Sequence, residues 1–189
     1  MIKYYKKNRL LFVLITLTII SIILGIIFNT LLSEDNKILV SKNINLLLDN
    51  KLIIPKSLIF NNLITTLIIW LLGISIIGII LIFPIYLFKV FIFSFETISL
   101  ISNLKLKNIL LITVYLIPNL INLFIYFIIC YYGITYSYYL IKHIFFNKKY
   151  NMYKITKKYI IILGISLVLI LLSSILEIFI IPRLNIIKI

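Results

Sequence analysis

The chain has 189 residues, of which 63% are hydrophobic, and its mean hydropathy is +1.20. Soluble domains are about 45–50% apolar, so this composition excludes a soluble enzyme or binding domain and predicts an integral membrane protein. The formal net charge is +14, and the lysines that supply it lie between apolar runs. That placement favours positively charged cytoplasmic segments in contact with anionic lipid, and it disfavours nucleic-acid binding.

Long apolar runs predict an all-α, polytopic bundle of five transmembrane helices in a single domain, residues 1–189. The predicted spans are about residues 10–28, 58–83, 85–102, 108–131 and 159–181. The densest acid-free basic clusters lie at the N-terminus and in a predicted basic loop, residues 142–158. Basic clusters stay in the cytoplasm, so the N-terminus is predicted inside and the C-terminus outside a multi-pass cell-membrane protein. Four spans with residues 84–103 re-entrant is the alternative topology.

One uncharged run, residues 57–88, is 32 residues long. A single span needs only about 20 residues, so the chain must turn within this run. Proline breaks helices, so Pro84 is the predicted turn. This turn would lie at the cytoplasmic face, with Lys89 close to it.

Three charged residues fall within predicted spans: Lys89, Glu96 and Glu177. Charged residues in a membrane are costly, and they are therefore functional candidates. Two interpretations stay open. The three residues could anchor and pack the helices, or Lys89 and Glu96 could line a path for an ion or substrate with Asn119.

The predicted outer loop, residues 30–56, carries one apolar helical face formed by Val40, Ile44, Leu47 and Leu48. Such a helix can lie on the outer membrane surface or bind an extracytoplasmic partner, and the two roles are compatible.

Chemistry-bearing side chains are scarce: the chain has one His, one Cys and five acidic residues. No catalytic motif accompanies them. We therefore expect no enzyme activity, no catalytic or metal site and no cofactor.

Three segments in chain order resemble the stage II sporulation protein M family. The first is Trp70, Gly73 and Gly78 followed by Lys89, the second is residues 117–121 (IPNLI), and the third is residues 173–182 (SSILEIFIIP). The resemblance implies a five-span, non-enzymatic scaffold of endospore engulfment in the mother-cell membrane. It also implies partners, namely the peptidoglycan-degrading sporulation proteins D and P.

Several residues are predicted to pack the helices: Trp70, Gly73, Gly78, Pro84, Pro118, Asn119 and Pro182. Pro84 and Glu96 have no counterpart in the pattern, and Asn119 lacks the family's fuller polar pair. A permease-like transporter subunit and a lipid-binding membrane organiser that uses residues 142–158 are the alternative functions. Membrane lipids are expected partners in each case, and self-association stays open.

Overall fold

Five long helices make up most of the computed structural model, which describes residues 9–40, 54–104, 109–147 and 149–184. The helices are α1 (Arg9–Thr30), α2 (Ile54–Ile74), α3 (Gly78–Leu104), α4 (Ile109–Phe145) and α5 (Met152–Leu184). Residues 34–40 form a further helical segment that begins after Ser33. The described ranges contain no β-strand, which confirms the all-α prediction.

Within the described ranges, four helices are long and apolar enough to cross a membrane, and they correspond to α1, α3, α4 and α5. The apolar part of α2 is shorter, at Ile59–Ile74. The protein is therefore a helical membrane protein, while the number of five spans and their orientation stay predictions.

Helix α4 lies at the centre of the bundle and contacts each of the other four helices. Helix α5 packs on α4 and α2, whereas α1 packs mainly on α3. The buried core includes Ile69, Ile82, Ile129 and Ile170, one from each of the four helices α2 to α5. Many apolar side chains point away from this core, as expected for helices surrounded by lipid.

Helices α1 and α3 run in the same direction and are joined by side-chain hydrogen bonds. The hydroxyl groups of Thr18 and Tyr86 lie 2.9 Å apart, and the Ser21 hydroxyl donates to the Leu87 carbonyl at 2.7 Å. Further along α1, the two helices approach closely at Gly25, where an added Cβ would lie 2.7 Å from a carbonyl oxygen of α3. Polar bonds and a small residue are the usual means of association between membrane helices.

The turn between α2 and α3 lies at residues 75–77, so the prediction that the chain turns at Pro84 is wrong. The Ser75 side chain accepts a hydrogen bond from the Ile77 amide at 3.1 Å, and the Ser75 carbonyl accepts one from the Gly78 amide. Such local bonds compete with helix continuation. Pro84 lies inside α3, where membrane helices tolerate proline because neighbouring groups compensate for the lost backbone bond.

The predicted basic loop, residues 142–158, is largely helical, because α4 continues to Phe145 and α5 begins at Met152. Two asparagines delimit the short connection. Asn147 has a φ of 49°, a left-handed conformation typical of the residue that ends a helix. The Asn151 side chain accepts a hydrogen bond from the Lys154 amide at 3.1 Å and so caps the start of α5.

The beginning of α1, the α2–α3 turn and the α4–α5 connection lie at the same end of the bundle. Ser137, in the second half of α4, donates to the carbonyl of Ser75 in the α2–α3 turn at 3.0 Å. Because α1 runs parallel to α3, its first residue Arg9 lies at the end where α3 begins. We call this the basic end. The segment at residues 34–40 follows the opposite end of α1.

Candidate functional site

The intramembrane charges do not occupy the positions that a turn at Pro84 would give them. Lys89 lies eleven residues into α3, about 16 Å from the start of the helix and near its middle. Glu96 is about 10 Å further along, toward the opposite end from the turn. The prediction that Lys89 lies beside the cytoplasmic turn is therefore wrong.

Lys89 is half-buried, whereas Glu96 is exposed on the outer surface of the described helices. Glu177 lies within α5, but its side chain is outside the described residues. These positions place neither Lys89 nor Glu96 in the buried core of the bundle.

Trp70 and Gly73 of the first family-like segment contact residues of α4 and α5. We call this group the turn cluster: Trp70, Gly73, Gly133, Ser137 and Tyr159. The rings of Trp70 and Tyr159 are stacked with centroids 5.7 Å apart, and the Tyr159 hydroxyl donates to the Trp70 carbonyl at 2.9 Å. Ser137 donates to the Gly73 carbonyl at 2.6 Å. The cluster therefore joins α2, α4 and α5.

Glycine is required at the centre of the turn cluster. A Cβ added to Gly73 would lie 2.1 Å from the Tyr159 hydroxyl and 2.8 Å from the Cα atom of Gly133. At Gly78 an added Cβ would lie only 1.7 Å from the Leu72 carbonyl oxygen. Both approaches involve backbone atoms, so a larger side chain cannot be accommodated by a rotamer change alone.

Aromatic stacking extends the turn cluster along α4 and α5. Tyr136 stacks on Tyr159 with ring centroids 4.7 Å apart, and its hydroxyl lies 2.9 Å from that of Thr156. Nothing in the sequence pattern indicated that Tyr159 pairs with Trp70, which is 89 positions earlier in the chain.

The second and third family-like segments meet at the other half of the α4–α5 interface. Ser173 lies 2.6 Å from the Asn122 side-chain oxygen and 3.3 Å from the Pro118 carbonyl. Pro118 and Ser174 are buried beside this contact. We call these four residues the polar cluster. Pro118, Ser173 and Ser174 lie in the family-like segments, but the sequence did not indicate that these segments meet.

The remaining predicted site residues are dispersed. Asn119 is half-buried on α4, Pro84 is exposed on α3, and Pro182 lies in the last turn of α5 with its side chain outside the described residues. Val40 ends the described part of the outer segment. The other three residues of the predicted partner face lie outside the described residues: Ile44, Leu47 and Leu48.

The part of the chain that the structure describes contains no group of three or more His, Cys, Asp and Glu residues able to hold a metal ion. Cys130 is buried among apolar side chains of the core. The arrangement of the described polar groups is thus one of helix–helix contacts.

A family model described as stage II sporulation protein M matches residues 12–182, a range that includes both clusters. No curated protein matches the chain. No solved structure matches it either.

Proposed function

The chain belongs to the stage II sporulation protein M family, and from that premise we propose that it is a non-enzymatic membrane scaffold that anchors peptidoglycan hydrolases during engulfment. The proposal rests on the family match over residues 12–182. The hydrolases that the resemblance names are the sporulation proteins D and P. The predicted partner face on the outer segment is Val40, Ile44, Leu47 and Leu48.

The hydrogen bonds within the bundle support a scaffold. Ser137 bonds to the end of α2, Ser173 bonds to α4, and Ser21 bonds to α3. Each of these hydroxyl groups stabilises a contact between two helices. A packed bundle held in this way can present a fixed outer surface to a partner.

The exposure of Glu96 disfavours the permease alternative. Ionisable residues that serve a transport path face the interior of a bundle or a water-filled cavity. Glu96 instead faces outward from the described helices, whereas Asn119 is half-buried on α4. A path through the bundle that uses both residues has no support from these positions.

Co-purification with a cell-wall hydrolase tests the proposed function. We expect the triple variant Val40→Ser, Ile44→Ser, Leu47→Ser to lose hydrolase binding, because it removes the apolar surface of the predicted partner face. Glu96→Gln should bind normally. The measurement is the amount of sporulation protein D or P recovered with the tagged chain from solubilised membranes.

The matched control is Lys42→Ser, which changes the same predicted helix on its opposite face. Retained hydrolase binding in the triple variant, or its loss in Glu96→Gln alone, would contradict the scaffold proposal.

A further inference from the structure

The basic end carries lysines on two helices, α4 and α5. Lys142 lies near the end of α4, and Lys154, Lys157 and Lys158 lie in the first turns of α5. Lys149 lies in the connection between them. The side chains of Lys149, Lys154, Lys157 and Lys158 are exposed, and Lys142 is half-buried.

Among the side chains that the structure describes, no acidic residue lies beside these lysines. The sequence contains no Asp or Glu between Glu96 and Glu177. Glu96 lies toward the far end of α3, about 27 Å from the turn that marks the basic end. At that distance Glu96 cannot form an ion pair with these lysines. The lysines of the basic end therefore attract anions without internal compensation.

Aromatic side chains hold two of these lysines at the helix surface. The Lys142 ammonium group lies 4.1 Å from the centroid of the Tyr138 ring, and the Lys158 ammonium group lies 5.0 Å from that of Tyr132. Both distances are within the range of cation–π attraction. Tyrosine is enriched where the hydrocarbon meets the headgroups, so contacts between lysine and tyrosine suit a surface at the membrane interface.

Exposed apolar side chains lie beside the lysines. Phe145 ends α4 and Phe146 follows it, with 64% and 66% of their surface exposed, and Tyr153, the second residue of α5, is 78% exposed. A surface exposed only to water would not favour three large exposed aromatic side chains beside these lysines. Aromatic residues beside lysines are typical of protein segments that lie in the interface of an anionic membrane.

From these contacts we propose that the basic end is a binding surface for the headgroups of anionic phospholipids. Lys142, Lys149, Lys154, Lys157 and Lys158 would contact the phosphates, and the exposed aromatic rings would lie beside them in the interface. The inference goes beyond the scaffold function, since it does not depend on a hydrolase partner. Binding of these headgroups would hold the α4–α5 connection against the leaflet that the basic end faces.

Lipid titration of the full chain in detergent tests the proposal. Phosphatidylglycerol and the zwitterionic phosphatidylcholine are added separately, and bound lipid is counted by native mass spectrometry. We expect phosphatidylglycerol to bind at lower concentration. The triple variant Lys149→Gln, Lys154→Gln, Lys157→Gln should bind phosphatidylglycerol about 100-fold more weakly at low salt. Each interfacial lysine contributes on the order of 1 kcal/mol to such binding.

The matched control removes the same number of charges from the outer loop: Lys42→Gln, Lys51→Gln, Lys56→Gln. It should bind phosphatidylglycerol as the unchanged chain does. Inorganic phosphate should compete poorly with phosphatidylglycerol, because it lacks the acyl chains that the aromatic rings contact. Effective competition by phosphate would instead indicate a site for free phosphate. Equal binding of the two lipids, or an equal loss in the control variant, would overturn the proposal.

Discussion

Gly73 shows how one residue without a side chain determines where three helices meet. Its carbonyl accepts a hydrogen bond from the Ser137 hydroxyl, and its Cα lies against Gly133 and the Tyr159 hydroxyl. Gly164 provides a contrast, because it is exposed on α5 and an added Cβ would meet nothing within 4 Å. The two glycines lie in helices of the same protein but in opposite packing environments.

We expect Gly73→Ala to destabilise the folded bundle by about 1–3 kcal/mol, because the methyl group forces the α2–α4 contact apart. Gly164→Ala is the control and should be neutral or stabilising by up to about 1 kcal/mol, since alanine favours the helix. Denaturation of both variants in the same detergent gives the comparison. Equal stability of the two variants would show that the close contact at Gly73 is not needed.

At the scale of the element, the α4–α5 connection depends on the residues that end and begin its helices. Asn147 ends α4 in a left-handed conformation, which asparagine adopts more readily than most residues. Asn151 then caps α5. A ring contact between Tyr139 and Tyr150, with centroids 5.1 Å apart, holds the connection against α4. The lysines of the basic end are thereby presented on ordered helix ends.

Asn151→Ala should destabilise the protein by about 1 kcal/mol, because it leaves the Lys154 amide without its cap. Asn151→Asp retains an acceptor oxygen and should stay close to the unchanged chain. The measurement is thermal unfolding in detergent followed by circular dichroism. Similar losses in both variants would mean that the side-chain cap does not stabilise α5.

At the scale of the whole molecule, the hydrogen bonds between helices fix which connections share an end. The α2–α3 turn and the α4–α5 connection lie at the basic end, and the segment after α1 lies at the opposite end. A five-span topology in which the basic end faces the cytoplasm agrees with the positive-inside rule.

Single-cysteine labelling tests that topology. In a Cys130→Ala background, Ile38→Cys should react with a membrane-impermeant maleimide added to whole cells, because residue 38 follows the outer end of α1. Ile76→Cys and Asn147→Cys should react only after the cells are permeabilised. Labelling of Ile76→Cys and Asn147→Cys from opposite sides would contradict the arrangement of the helices.

The sequence by itself determined the class of the protein. Hydropathy is a local property, so the apolar runs indicated a helical membrane protein, and the order of three short segments indicated the family, which the match over residues 12–182 confirms. It also identified Trp70, Gly73 and Pro118, because glycine, proline and tryptophan are conspicuous in an apolar run. The basic character of residues 142–158 was equally visible.

Only the tertiary structure decided where the chain turns and which side chains meet. Pro84 was the obvious break, yet the chain turns at residues 75–77, because Ser75 satisfies local amides and Gly73 and Gly78 admit close backbone approach there. A membrane helix can compensate locally for a proline, whereas close packing depends on partners distant in sequence. The shifted turn moves Lys89 toward the middle of α3, a depth that the sequence alone did not reveal.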